Sequence, residues 1–208
     1  DIKSHKIYFS STKPTDICIT DDYITYFGEK IIKLEDIKLQ GTHNYENICC
    51  AIGAVKHYGV KNAAVIEVLE DFGGVEHRLE YVRTLNNVMY YNDSKATNTV
   101  STTIALKAFN KPTILIMGGL DRGHSFEPLN DYMKNVKLVV CYGQTKERIE
   151  KWADGLKIPV KVFDNLHDAT IVAAKEATAG DVVLLSPACA SWDQYKCFED
   201  RGTEYKKI

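Results

Sequence analysis

Hydrophobic and polar positions fall into two rhythms along this chain. Up to about residue 39, short apolar clusters alternate with turn formers. Ile7-Tyr8-Phe9, Ile17-Cys18-Ile19, Tyr23 to Phe27 and Ile31 to Leu34 are separated by Ser, Thr, Pro, Asp and Gly, a pattern that predicts short strands. From Thr42 the period lengthens. Ile48, Ala51, Ile52 and Val55 recur at i, i+3, i+4 and i+7, which predicts a helix with these four on its buried face and Gly59 as its C-terminal stop. A second helix is expected over Asn62 to Asp71. It is closed by Gly73-Gly74, the best candidate for a boundary between a unit at 1–74 and one at 75–208.

Beyond the glycine pair, strand and helix patterns alternate. Strands are expected at Val88 to Asn92, Thr113 to Met117, Leu138 to Tyr142, Val160 to Phe163 and Val182 to Leu185. Helices are expected near Thr99 to Phe109, Phe126 to Lys134, Thr145 to Trp152 and Leu166 to Thr178, with a last one from Trp192 toward Tyr205. Ser191 and Gln194 have the Ser-x-x-Gln spacing of a capping box at the start of that last helix. The most apolar strands are almost uninterrupted hydrophobic runs, as strands of a parallel sheet covered on both faces must be. The predicted fold class is α/β: a doubly wound, mostly parallel Rossmann-like domain over 75–208, preceded by a β-rich segment and two helices.

Composition narrows the functional classes. A net charge of −2 over 208 residues gives no general attraction to nucleic acid or to an anionic membrane. No apolar run is long enough to span a bilayer, and no secretory signal opens the chain. Cys18, Cys49, Cys50, Cys141, Cys189 and Cys197 contain no Cys-x-x-Cys pair and no metal-ligand spacing. The expectation is a cytosolic protein without disulfides or structural zinc. The chain opens on Asp1, and its β-rich start reads as the end of a sheet whose earlier strands are missing, or as a small independent meander.

In a doubly wound sheet, ligands bind beyond the C-terminal ends of the strands. Three unusual segments fall there: Asn92-Asp93-Ser94-Lys95-Ala96-Thr97-Asn98, Gly118-Gly119-Leu120-Asp121-Arg122-Gly123, and Ser186 to Phe198. Taken singly, Asp93, Thr97 and Asn98 are as readily turn or cap residues, Gly118-Gly119 a tight strand exit, Arg122 solvated surface, and Trp192, Tyr195 and Phe198 core aromatics. Their convergence at one sheet edge changes that balance. Lys95 and Arg122 bring positive charge, Thr97 and Ser191 bring hydroxyls near helix starts, and a guanidinium fork grips a carboxylate through two hydrogen bonds. The expected ligand carries at least one carboxylate. In the earlier segment, Asn44 and Asn47 lie at i, i+3 on a first helical turn, where two amides read a purine edge or a ribose, or merely cap. His77-Arg78 places a cation at the expected hinge, suited to a polyphosphate or to an interdomain ion pair.

Taken together these segments closely resemble the C-terminal part of a Mur ligase, in the D-glutamate-adding branch of the family. The resemblance rests on Gly41-Thr42-His43-Asn44-Tyr45-Glu46-Asn47, His77-Arg78, Asn92 to Asn98, Gly118 to Gly123 with Phe126, and Ser186 to Gly202. It implies an ATP-dependent amide ligation in peptidoglycan synthesis. The L-alanine carboxylate of UDP-N-acetylmuramoyl-L-alanine is activated as an acyl phosphate, and the amine of D-glutamate attacks it. It further implies that Thr97, Arg122, Ser191 and Phe198 surround D-glutamate. Asn44 and Asn47 would lie at the adenine, Arg78 and Asp93 would reach the nucleotide, and Lys95 and Arg78 would be the catalytic groups. Two departures stand out. Arg122 occupies a position where some members carry lysine, and Val75-Glu76 precede His77-Arg78 where Leu-Pro is common.

No Gly-x-x-x-x-Gly-Lys-Ser/Thr phosphate loop occurs in the 208 residues, and the groups that hold Mg2+ in the family, with the UDP-binding domain, have no counterpart here. Residues 1–74 are therefore expected to be the end of a central ATPase domain, and the chain to be inactive without the missing N-terminal and central domains. The alternative is a stand-alone amino-acid-binding module of the same fold. A generic dinucleotide-binding domain is disfavoured because Gly-x-Gly-x-x-Gly does not follow the first strand after 75, and folylpolyglutamate-type ligases share the architecture without these loop blocks.

Overall fold

The computed structural model describes residues 6–39 and 41–208; Asp1 and the side chains of Thr42 and His43 lie outside the described set. The chain forms two compact units, 1–74 and 75–208.

In the first unit, β1 (Phe9–Ser10), β2 (Ile17–Thr20), β3 (Tyr23–Tyr26) and β4 (Glu29–Lys33) form one sheet in that order. β1 pairs parallel to β2, and the other pairings are antiparallel. Both hairpins turn on two residues with positive φ, Asp21-Asp22 (50° and 62°) and Phe27-Gly28 (47° and 81°). That is the primed geometry whose twist suits a tight hairpin. The helices α1 (Thr42–His57) and α2 (Asn62–Asp71) cover the sheet. Ile48, Cys49 and Ile52 of α1 meet Ile17, Ile24 and Ile32, while Ala51 and Val55 are exposed. The buried stripe is thus narrower than the sequence spacing suggested. The exit of α1 is a Schellman turn: Val60 N–H donates to Val55 C=O at 3.3 Å and Gly59 N–H to Lys56 C=O at 3.0 Å, with Gly59 at φ 78°.

The second unit is built on a six-stranded sheet. Its members are β5 (Glu80–Leu85), β6 (Val88–Asn92), β7 (Thr113–Gly118), β8 (Val136–Tyr142), β9 (Val160–Val162) and β10 (Val182–Leu185). Their spatial order is β5-β6-β10-β7-β8-β9, so β10 returns to the centre between β6 and β7. All pairings are parallel except β5 with β6. Alternate residues of the central strands feed two cores. Leu115, Met117, Val139, Cys141, Val182 and Leu184 face α3 (Thr99–Lys107) and α4 (Lys146–Gly155). Ile114, Ile116, Val140, Val183 and Leu185 face α5 (Leu166–Glu176) and α6 (Phe198–Lys207). Both faces are covered, as the continuous apolar runs required.

Three elements differ from expectation. β5 was not foreseen, because Glu80-Tyr81-Val82-Arg83-Thr84-Leu85 is an exposed, polar edge strand held by the Asn86-Asn87 hairpin turn, with φ 51° and 61°. Residues Glu127–Asn135 form a 3-10 rather than an α-helix. Leu129 N–H closes onto Phe126 C=O at 2.9 Å, and Pro128 has no N–H to give. The last helix starts at Phe198, not Trp192. Ser191 C=O accepts from Gln194 and Tyr195 N–H in a single turn, and the Gln194 side chain donates to Asp164 C=O instead of closing a capping box. No helix among the described residues is long and apolar enough to cross a membrane, and all six cysteines are free thiols.

Candidate functional site

Because β6, β7, β8 and β10 run parallel, the loops after them emerge at one edge of the sheet. The backbone stitches these loops together. Gly118 N–H donates to Pro187 C=O (3.1 Å), Leu120 N–H to Ala190 C=O (2.9 Å), and Thr145 N–H to Gly119 C=O (3.2 Å). Gly118 and Gly119 have φ of 140° and 138°, and a β-carbon on either would overlap a backbone carbonyl, of Tyr142 or Ala190 respectively. The glycine pair therefore does more than leave the strand: it lets three loops approach at backbone contact.

The sequence-derived candidates fall into distinct places. Thr97 and Arg122 line one small cavity, floored by Ala188, Cys189 and Ala190. Arg122 is exposed and its guanidinium lies 4.7 Å over the ring of Trp192, itself 64% exposed. Three residues of the same cavity were not singled out from sequence: His124, Thr145 and Arg148. Arg148 pairs with Asp121 and donates to His124 C=O at 2.8 Å, which braces the loop carrying Arg122. Thr145 donates its hydroxyl to Gly119 C=O at 3.2 Å. The Cys189 thiol meets Thr145 Oγ1 at 3.5 Å, and burial pushes its pKa up, so it stays a neutral lining atom.

Lys95 is exposed, and its ammonium lies 5.1 Å from the centroid of Phe198. Phe198 is half-buried, with its ring edge-on to His77 at 6.1 Å. Ser191 is 2% exposed and directly follows the cavity floor. Asn98, not Asp93 or Thr97, is the N-cap of α3, accepting from Ser101 N–H at 2.9 Å. That frees Thr97 from the capping role sequence alone left open to it. Arg78 is exposed, on a turn where His77 and Leu79 both have positive φ (64° and 46°). Asn44 and Asn47 lie in the first unit, on the opening turns of α1.

Asp93 is buried beside this edge. Its carboxyl accepts from Ser186 Oγ (2.8 Å) and from Leu79 N–H (3.0 Å). Burial drives its pKa up to about 6; those two hydrogen bonds and the charges of Arg78 and Arg201 oppose the rise without cancelling it. Beside it, Asn92 orients a second network. Its Oδ1 accepts from Ser94 N–H (3.1 Å), which turns Nδ2 toward Glu80 Oε2 and His77 Nδ1, each at 2.9 Å. An amide NH2 only donates, so His77 Nδ1 accepts and the ring proton is assigned to Nε2. The Nε2 atom stands 3.7 Å from Glu76 Oε1. Glu76, His77 and Glu80 come close enough to suggest a cation site, but the Lys206 ammonium already bridges the two carboxylates.

The residue least visible from sequence is Arg201. It is fully buried, and no carboxylate lies within ion-pair distance of it among the described residues. Its guanidinium donates to Ser94 Oγ (2.9 Å), Ser94 C=O (2.7 Å), Cys189 C=O (3.0 Å) and Gly118 C=O (3.5 Å). One side chain thus ties together all three loops singled out from sequence. Its only sequence signal was its place within the Ser186 to Gly202 block.

Comparison with known proteins identifies the family and the fold. Residues 77–189 match the family described as Mur ligase, glutamate ligase domain. The chain is 49% identical over 203 residues to the UDP-N-acetylmuramoylalanine--D-glutamate ligase of Bacillus cereus (strain AH187), covering 96% of this chain and 45% of that relative's length. The chain therefore spans about half the length of the relatives it matches. Its fold is shared with a crystal structure of MurF from Acinetobacter baumannii (TM-score 0.70, 15% identity, 97% of this chain and 47% of that one). It is likewise shared with MurF ligase from Thermotoga maritima in complex with ADP (TM-score 0.60, 15% identity, 97% and 48%).

Proposed function

The chain belongs to the Mur ligase family, and on that premise we propose that it is the acceptor-binding part of a cytoplasmic ATP-dependent ligase that joins D-glutamate to UDP-N-acetylmuramoyl-L-alanine. The observation that carries the reading is the convergence of Thr97 and Arg122 on one cavity floored by Ala188 to Ala190. A dicarboxylic amino acid needs a cation for its side-chain carboxylate and neutral donors for the rest; the cavity holds only about 10 Å³, so on this reading the amino acid lies against its lining, with Arg122 as the cation and Thr97 as a neutral donor. Arg122, with its guanidinium over the ring of Trp192, suits bidentate capture of one carboxylate. On this reading Ser191, next in the chain to the cavity-lining Ala190, and Phe198, with Lys95 over its ring, would complete the acceptor site.

On this reading Asn44 and Asn47 of the first unit meet the adenine, while Arg78 and Asp93 serve the rest of the nucleotide. An exposed guanidinium suits phosphate oxygens, whereas the buried Asp93 carboxyl would serve the nucleotide through the turn carrying Arg78, which it holds by accepting from Leu79 N–H. Lys95 and Arg78 are the cations available to negative charge developing on the acyl phosphate. The phosphate loop and the Mg2+-holding groups belong to the part of the enzyme outside this sequence. Residues 1–74 are, on the same reading, the end of the central ATP-binding domain and 75–208 the acceptor domain.

The test is phosphate release by the full-length ligase containing this chain, with ATP, the UDP-linked acceptor, and either D- or L-glutamate. Turnover with D-glutamate and little with L-glutamate is expected, and none from the 208 residues alone. Equal use of both enantiomers, or turnover by the isolated chain, contradicts the reading.

A further inference from the structure

A buried charge normally carries a counter-charge, because desolvating an ion costs several kcal/mol. Arg201 departs from this rule: its partners are one hydroxyl and three backbone carbonyls, with no carboxylate in contact among the described residues. One of those carbonyls belongs to a residue that lines the cavity, and another lies just before a loop that does. Cys189 lines the floor, and Gly118 precedes the loop that carries Leu120 and Arg122. A carbonyl oxygen facing that cavity would repel a ligand carboxylate. The Cys189 oxygen is instead engaged by the guanidinium, whose positive charge offsets that repulsion.

The third partner connects to the other wall. Ser94 accepts from Arg201 Nε through Oγ and passes its own hydroxyl hydrogen to Phe198 C=O at 2.8 Å. The position of Lys95 and of Phe198 beneath it therefore depends on the same guanidinium. Gly119 completes the arrangement, since a β-carbon there would come 3.2 Å from Arg201 Nη1 and overlap Ala190 C=O.

We propose that Arg201 is a positioning residue for the acceptor's carboxylates. Without touching the ligand, it fixes the three loops and occupies the Cys189 carbonyl, and its buried charge, which no carboxylate contacts among the described residues, makes that cavity selective for an acidic amino acid. The proposal rests on the acceptor reading above and adds a determinant to it. A lysine keeps the charge but cannot spread donors over acceptors on three loops, whereas a methionine keeps much of the bulk and no charge.

The experiment compares Arg201→Met and Arg201→Lys in the full-length ligase, reading KM for D-glutamate, KM for ATP, the preference for D-glutamate over D-glutamine, and the melting temperature. For Arg201→Met the expected result is an increase of about 10-fold or more in KM for D-glutamate, with KM for ATP held within about threefold. The preference for glutamate over glutamine should fall by about the same 10-fold. Arg201→Lys should recover the preference and only part of the KM. A purely architectural arginine would lower the melting temperature and the active fraction while leaving KM and the preference of the remaining enzyme unchanged, and that result overturns the proposal. If Arg201→Met does not fold, Arg201→Lys decides: a wild-type KM for D-glutamate refutes the role and a raised one supports it. Failure of both variants to fold assigns Arg201 to the core and also refutes it. Failure of the wild-type enzyme to use D-glutamate would instead defeat the acceptor reading itself.

Discussion

Gly202 of α6 packs against the imidazole of His77 so closely that a β-carbon would overlap Nδ1 and come 3.0 Å from both side-chain heteroatoms of Asn92. The last helix and the turn bearing Arg78 are therefore fitted to each other at a point with no spare volume. Gly202→Ala should displace His77, break its hydrogen bond to Asn92 and cost about 1–3 kcal/mol. Thermal unfolding of the 75–208 unit measures the loss. In the full-length enzyme the same variant should raise KM for ATP, because Arg78 adjoins the displaced ring.

Asp93 makes stability depend on pH in an uncommon direction. Its carboxyl titrates near 6 in the folded protein against a reference of 3.8, so the folded state binds its proton more tightly than the unfolded chain. Asp93 thus favours folding fully only below its unfolded pKa, and that contribution is lost as pH rises through about 6, up to about 3 kcal/mol in all. Asp93→Asn should consequently gain stability relative to wild type at about pH 7.5, with the advantage shrinking as the pH falls toward about 4. Melting curves across that range provide the check. Nucleotide affinity should fall in the same variant.

Adjacent residues at the start of α3 should separate stability from binding. Asn98 caps the helix through Ser101 N–H, whereas Thr97 faces the cavity. Asn98→Ala should cost about 1 kcal/mol of stability and leave the acceptor KM near its original value. Thr97→Val should do the opposite. Paired melting and kinetic measurements on the two variants reveal a miscast role if the effects are reversed or equal.

Arg122 should set affinity for the acceptor rather than for the nucleotide. Arg122→Ala should raise KM for D-glutamate roughly 30-fold with little effect on KM for ATP. Trp192→Ala, which removes the ring beneath the guanidinium, should weaken the acceptor only severalfold, since an exposed cation–π contact contributes about 0.5–1 kcal/mol. Arg122→Lys keeps the charge but loses the two-pronged guanidinium and should fall between these two. Initial rates at saturating ATP distinguish the three.

The amino-acid sequence by itself determined the parallel core and the edge at which a site could form. Strands buried on both faces must be continuously apolar, so Ile114 to Met117, Val139 to Tyr142 and Val182 to Leu185 announced themselves locally. The loops that follow them carried unusual polar residues in plain sight. β5 was missed because an exposed edge strand needs no apolar run; Asn86-Asn87 was its one local signal, and it reads equally well as a loop. The capping box at Ser191 failed for a related reason: Gln194 found a partner in Asp164, far along the chain, that no local spacing reveals. Only the tertiary structure decided which site residues share a cavity, that Asn98 and not Thr97 caps α3, and that Asp93 is buried enough to titrate near 6. Arg201 is the extreme case. An arginine's stem and head suit surface or interior equally, and its burial here depends on Ser94, Gly118 and Cys189 arriving from three distant points of the chain. Periodicity records what a residue's neighbours require. The assembly of a site from separate loops is set by long-range packing, which leaves no such local trace.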